Sequence, residues 1–143
     1  MRPPEVVVRR LVAVWIKKAD LDFDTVEHLA GEERFRDVVA FHAQQAAEKY
    51  VKAILTRHQI EFPKTHLIEQ LLILLSQAEP QLAHALDTAR WLSPFGVDMR
   101  YPGDRPDTLP GDEVRALALT RLVRERVMAL LNPYLAAEDT HPL

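Results

Sequence analysis

The sequence predicts an all-α fold, an up-and-down bundle of four long helices plus a shorter fifth. Three observations carry this. The 143 residues include only four glycines. Convincing period-two alternation of apolar and polar residues is missing. Long segments instead repeat apolar residues three and four apart, the spacing of one helical face. The chain reads as a single domain over residues 1–143, with a core at about 5–131 and a frayed tail from 132 to 143.

The first helix is expected from about Glu5 to Leu29. Val8, Val12, Trp15, Ala19, Phe23 and Val26 share one stripe, with Arg9, Lys17, Asp20 and Asp24 largely off it. Gly31 is a natural stop. A second helix starts near Glu33 and continues to about His58. Its run Phe41-His42-Ala43-Gln44-Gln45-Ala46-Ala47-Glu48-Lys49-Tyr50-Val51-Lys52-Ala53-Ile54-Leu55 is the most informative stretch of the chain. Ala43, Ala46, Ala47 and Ala53 let neighbouring helices approach closely, while His42, Gln45, Lys49 and Lys52 line one polar stripe.

Phe62-Pro63-Lys64-Thr65-His66 is a connector, and Thr65 is a good N-cap for a third helix that starts at His66 and runs to about Ala78. Leu71 to Leu75 place apolar side chains all round that helix, more than one core face requires, which calls for a second layer or a second subunit. Pro80 opens a fourth helix ending near Trp91 or Leu92. Ser93 to Gly111 holds seven of the fourteen prolines and glycines and reads as one long loop. The last helix, from about Asp112 to Leu131, has Ala116, Leu119, Val123, Val127 and Leu130 on one face, and Asn132-Pro133 ends it.

Net charge is −3, which argues against a general nucleic-acid coat protein but leaves room for a local basic site. Between Arg34 and His66 six Lys/Arg face three acids. With no cysteine, disulfides, thiolate metal sites and cysteine nucleophiles are absent. The N-terminus is a poor signal peptide and no apolar run reaches the roughly 20 residues of a membrane span, so the chain is expected to be soluble and cytoplasmic, with no membrane partner. No pair among the six histidines has metal-ligand spacing, and no Gly-rich phosphate loop or serine elbow occurs, so neither a metal nor a cofactor is expected.

Two constellations carry chemistry. His42, Gln45, Lys49 and Lys52 offer donors for phosphate or a base edge. Alternatively the lysines are solvated and His42 and Gln45 bond inside a helix interface. In the late loop, Arg100-Tyr101 combines a guanidinium that grips phosphate with a ring that stacks on a base. The plainer alternative is that Tyr101 anchors the loop and Arg100 pairs with Asp98 or Asp104.

Trp15 with Ala19-Asp20-Leu21, the series Phe41-His42-x-Gln44-Gln45-Ala46-x-Glu48-Lys49 with Lys52-Ala53-x-Leu55, then Phe62-Pro63-Lys64-Thr65-His66-Leu67 and Arg100-Tyr101-Pro102 together resemble the HEPN family (higher eukaryote and prokaryote nucleotide-binding), in order over about residues 8 to 131. The resemblance implies a helical bundle that forms a homodimer, with a polar cleft between the second helix and the late loop. It also implies a minimal nucleotidyltransferase as partner, since several members are ribonuclease toxins silenced by one. In the toxin branch an arginine is followed four to six residues later by a histidine. Arg100 matches the arginine by position, but no histidine follows it before the last helix. Metal-free RNA cleavage needs a group of near-neutral pKa, and arginine is not one.

The reading is therefore a nucleotide- or RNA-binding module. Arg100, Lys49 and Lys52 would contact phosphate, Tyr101, His42 and Gln45 would contact or position the base, and His66 would stand beside them. The alternatives are a metal-independent ribonuclease toxin with an atypical acid/base pair that uses His42 or His66, and a non-catalytic interaction module. In the last, Gln44 and Gln45 bond across helices and Glu48 pairs with Lys49.

Overall fold

The structure, a computed structural model, describes residues 4–96 and 107–137. Its elements are α1 (Glu5–Leu29), a 3₁₀ turn (Glu33–Phe35), α2 (Arg36–Arg57), α3 (Ile68–Leu75), α4 (Pro80–Ala85), a 3₁₀ segment (Asp87–Gly96) and α5 (Asp112–Ala136). No strand occurs among the described residues. The all-α bundle of the sequence reading is present, but its long helices number three among those residues, α1, α2 and α5, rather than four.

Helix α2 is the central element. It packs along α1 and α5 and also meets the 3₁₀ segment and α3. The alanines explain how. Ala43, Ala46, Ala47 and Ala53 are fully buried, beside Val39, Tyr50 and Ile54, so backbones on two sides come close. From α1 come Val8, Val12, Ile16, Ala19, Phe23 and Val26, close to the predicted stripe with Trp15 only half-buried. From α5 the inward residues are Ala116, Thr120, Val123, Val127 and Leu131. The predicted Leu130 is instead 38% exposed, because a 3.6-residue repeat moves the buried position to Leu131.

The second half of the chain departs most from expectation. Helix α3 is only eight residues long, and Thr65 accepts a hydrogen bond from the Leu67 amide (3.1 Å) rather than capping the helix. The Ile68 amide donates instead to Ser93 Oγ (2.9 Å), whose hydroxyl donates to Glu69 Oε1 (2.6 Å). The start of α3 is thus capped by a residue twenty-five positions away, which no local pattern announces. Leu71, Leu72 and Leu75 are covered within the chain and only Ile73 stands out, at 68% exposure. The expected fourth helix ends at Ala85, and the chain continues as a 3₁₀ segment through the stretch read as loop at Ser93 to Gly96. Pro94 lies inside that segment; lacking an N–H, it removes an α-helical bond and favours the tighter winding.

Helix α5 passes through Asn132-Pro133 to Ala136, because its last turn is docked. Arg9 Nε donates to the Tyr134 carbonyl (3.3 Å), Tyr134 Oη donates to Glu5 (2.6 Å), and the Arg9 and Arg57 guanidinium carbons lie 4.9 and 4.7 Å from the Tyr134 ring. At the other end of α5, Arg36 Nε donates to Glu113 Oε2 (2.7 Å) and joins the starts of α2 and α5. No helix of the described residues is long and apolar enough to cross a membrane.

Candidate functional site along the second helix

At about 100° per residue, the alanines of α2 with Val39, Tyr50 and Ile54 fall on one half of its circumference. Gln44, Glu48, Lys52, Gln45, Lys49 and His42 fall on the other, which also carries Leu55, Phe41 and Val38. Going round that polar arc, Gln44 and Glu48 come first, then Lys52 and Gln45, then Lys49 and His42. Three neighbours border the arc: α1, the 62–66 connector and the end of the 3₁₀ segment.

The α1 border is organised by Asp22. Its Oδ1 lies 2.8 Å from His42 Nδ1 and its Oδ2 accepts from Lys49 Nζ at 2.5 Å. Burial pushes the Asp22 carboxyl up, but hydrogen bonds from His42 and Lys49 and their nearby charges outweigh it, leaving the pKa below the ordinary carboxylate value. An ionised carboxylate only accepts, so His42 Nδ1 is the donor and Nε2 is the nitrogen left for a ligand.

The connector border is organised by Glu48, which is 4% exposed. Its Oε1 accepts from His66 Nδ1 (2.9 Å) and from Gln44 Nε2 (3.3 Å), and its Oε2 accepts from Lys52 Nζ (3.1 Å). His66 is thereby oriented like His42, with Nε2 facing away from its carboxylate. The Gln44 amide also donates to the His66 carbonyl (2.9 Å) and accepts from Gln45 Nε2 (2.7 Å). One connected network therefore spans Gln45, Gln44, His66, Glu48 and Lys52.

Lys52 overturns an expectation. It is neither solvated nor open to phosphate: it is 8% exposed, paired to Glu48, and its Nζ lies 5.6 and 5.5 Å from the Trp15 and Phe62 rings. Burying an ammonium is costly unless it is paired, and Glu48 with the two rings supplies the pairing. Nor does Glu48 pair with Lys49, whose partner is Asp22. His42, Gln45, Lys49 and His66 keep part of their surface, with the His66 side chain 58% exposed.

Arg100 and Tyr101, with Asp98 and Asp104, lie outside the described residues. The described chain on either side of that segment abuts α2. Gly96 sits so close to the Gln44 side chain that a Cβ there would overlap its amide, which is why this position takes glycine. Beyond the gap, Thr108 Oγ1 donates to Asp37 Oδ1 (2.5 Å). Asp37 and Gln44 are two turns apart on α2, about 10 Å along one face.

The sequence reading singles out Trp15 on α1 but passes over Asp22, which organises this border. Asp22 continues the buried stripe, four residues before Val26 and three after Ala19, and an acid on an apolar stripe requires a cationic partner. That signal was present in the sequence. The role of Phe62, by contrast, depends on how the connector folds back. Among the described residues no group of three His, Cys, Asp or Glu is placed to hold a metal ion.

The class the fold defines is an all-helical module whose central helix carries a buried alanine seam and a hydrogen-bonded polar arc. The chain belongs to the HEPN domain family, whose model matches residues 12–130. No curated protein and no solved structure matches it.

Proposed function

We propose that the polar arc of α2 binds a nucleotide or a segment of RNA. The observation that carries this reading is the paired arrangement of His42 on Asp22 and His66 on Glu48, each with Nε2 left for a ligand, beside Lys49 and Gln45. Imidazole nitrogens and an amide suit a base or ribose, and a lysine suits phosphate. Arg100 joins the phosphate side and Tyr101 the base side; support for this is that the flanking residues Gly96 and Thr108 abut Gln44 and Asp37 on the same helix. Lys52 takes no part in the contact: it is buried and pairs with Glu48 Oε2, the oxygen that His66 does not use.

The proposed assembly is a homodimer working beside a minimal nucleotidyltransferase. Calorimetric titration with ATP, GTP and short RNAs tests the binding reading. Saturable binding that is lost in Arg100→Ala supports it, and no heat at millimolar ligand removes it.

A second reading, metal-independent cleavage of RNA, is favoured by the same two imidazoles. A carboxylate-held imidazole is the type of group that takes and returns a proton at neutral pH. Incubation with total RNA in EDTA discriminates the two: fragments that disappear in His42→Ala support cleavage, and intact RNA supports binding alone.

A further inference from the structure

We infer that Trp15 and Phe62 form a stacking platform for a base of single-stranded RNA, continuous with the polar arc; the inference rests on the nucleotide- or RNA-binding reading above. The two rings meet edge-on, with centroids 6.1 Å apart and planes at 66°. Helices α1 and α2 run antiparallel, so Asp22 meets His42 and Lys49 while Trp15, two turns earlier in α1, meets Lys52 further along α2. The rings, Lys52, Glu48 and His66 are therefore consecutive contacts, and the platform stands at one end of the same seam.

The two cations on the Trp15 ring differ in a way that matters. Lys52 is buried and fixed by Glu48. Lys18, with its Nζ 5.9 Å from the ring, is exposed and has no carboxylate within ion-pair distance among the described residues. Both Trp15 and Phe62 are only half-buried. Helical spacing puts Lys18, three residues after Trp15, on the indole, and unlike Lys52 it stays exposed there. A base sliding over the open part of Trp15 displaces only the flexible Lys18 chain, and that ammonium then stands within reach of the strand's phosphate. Exposed Lys64 lies two residues after Phe62 in the connector, next to exposed Glu61, and the buried Glu48 is already paired to Lys52. Aromatic rings beside cations are the pattern by which proteins hold single strands with little sequence preference, since every base has a π-face.

The test uses the full chain carrying Trp91→Phe, in which Trp15 is the sole tryptophan. It is titrated with fluorescein-labelled oligoadenylate and oligouridylate RNAs of about eight nucleotides, a length within single-strand site sizes, while anisotropy and Trp15 emission are read together. The expected result is quenching of Trp15 in step with the rise in anisotropy for both sequences, and affinity about tenfold weaker or worse in Trp15→Leu, the loss of one stacked base. RNA binding with unchanged Trp15 emission overturns the platform and leaves the binding reading standing. No binding of RNA or of ATP at millimolar concentration overturns that reading itself, and the platform with it. If Trp15→Leu loses its helical circular dichroism, the emission titration in the Trp91→Phe chain decides alone.

Discussion

Asp22 on α1 holds His42 on α2 through a single carboxylate oxygen, 2.8 Å from Nδ1, and so sets which imidazole nitrogen is left facing away from α1's carboxylate. Its second oxygen takes Lys49, so one carboxylate fixes two groups of the proposed site. That economy makes Asp22 the residue whose charge links stability to the proposed site.

The first prediction concerns pH. The folded pKa of Asp22 is depressed by His42 and Lys49 against the opposing effect of burial. Its contribution is therefore fully present above the ordinary carboxylate value of about 3.9 and is lost as pH falls through the lower folded value. Urea midpoints measured from neutral to acid pH should fall more steeply for the native chain than for Asp22→Asn, with the difference vanishing at the acid end. At neutral pH the variant should lose about 1–3 kcal/mol, the range for removing a charged hydrogen-bond partner. Parallel curves would show that Asp22 is not the linked group.

Gly96 supplies the second prediction. A methyl group there overlaps the Gln44 amide, and that amide is itself committed to Glu48 and the His66 carbonyl. Gly96→Ala should cost about 1–3 kcal/mol, as overpacking does. In a Gln44→Ala background most of that cost should disappear, and a double-mutant cycle from thermal melts measures the coupling. Additive losses would mean that the two residues do not compete for space.

A third prediction concerns the tyrosines. Tyr50 Oη donates to Asp20 (2.5 Å), which also accepts from Arg124 Nε (3.2 Å), tying α1, α2 and α5 together. Burial and then Asp20 push the Tyr50 pKa well above its usual value, and burial followed by Glu5 pushes Tyr134 up to about 12. Both pKa values are raised, so the stability each contributes holds below the ordinary value near 10 and is lost as pH climbs through the folded one. Ultraviolet titration of tyrosinate should show Tyr50 and Tyr134 still protonated near pH 11, with Tyr50→Phe and Tyr134→Phe each removing one late step. An ordinary titration of both would contradict the hydrogen bonds.

The parts legible in the sequence were those set by local periodicity. The α1 stripe, the alanine seam of α2 and the stop near Gly31 follow from residue type and spacing. What escaped is set by tertiary contact. Ser93 caps α3 from across the chain, Tyr134 carries α5 past Pro133, and Pro94 sits in a 3₁₀ segment where loop was expected. In the site, helical spacing put His42, Gln45, Lys49 and Lys52 on one arc but could not tell exposed from buried members. Lys52 faces two aromatic rings supplied by α1 and the connector, and nothing within α2 announces them.

That distinction between the lysines gives the most direct measurement. Lys49 borders the open side of the arc, whereas Lys52 is sealed under Trp15 and Phe62. Breaking the buried Lys52–Glu48 pair with Lys52→Met should cost stability, about 3 kcal/mol or more, because it leaves Glu48 without its ammonium. Under conditions where all chains are folded, affinity for a short RNA should fall at least about tenfold in Lys49→Met, the loss of one charge-assisted contact. It should change far less in Lys52→Met. Equal affinities for the native chain and Lys49→Met, or no binding of RNA or nucleotide by the native chain, would contradict the assignment of the α2 arc as a ligand site.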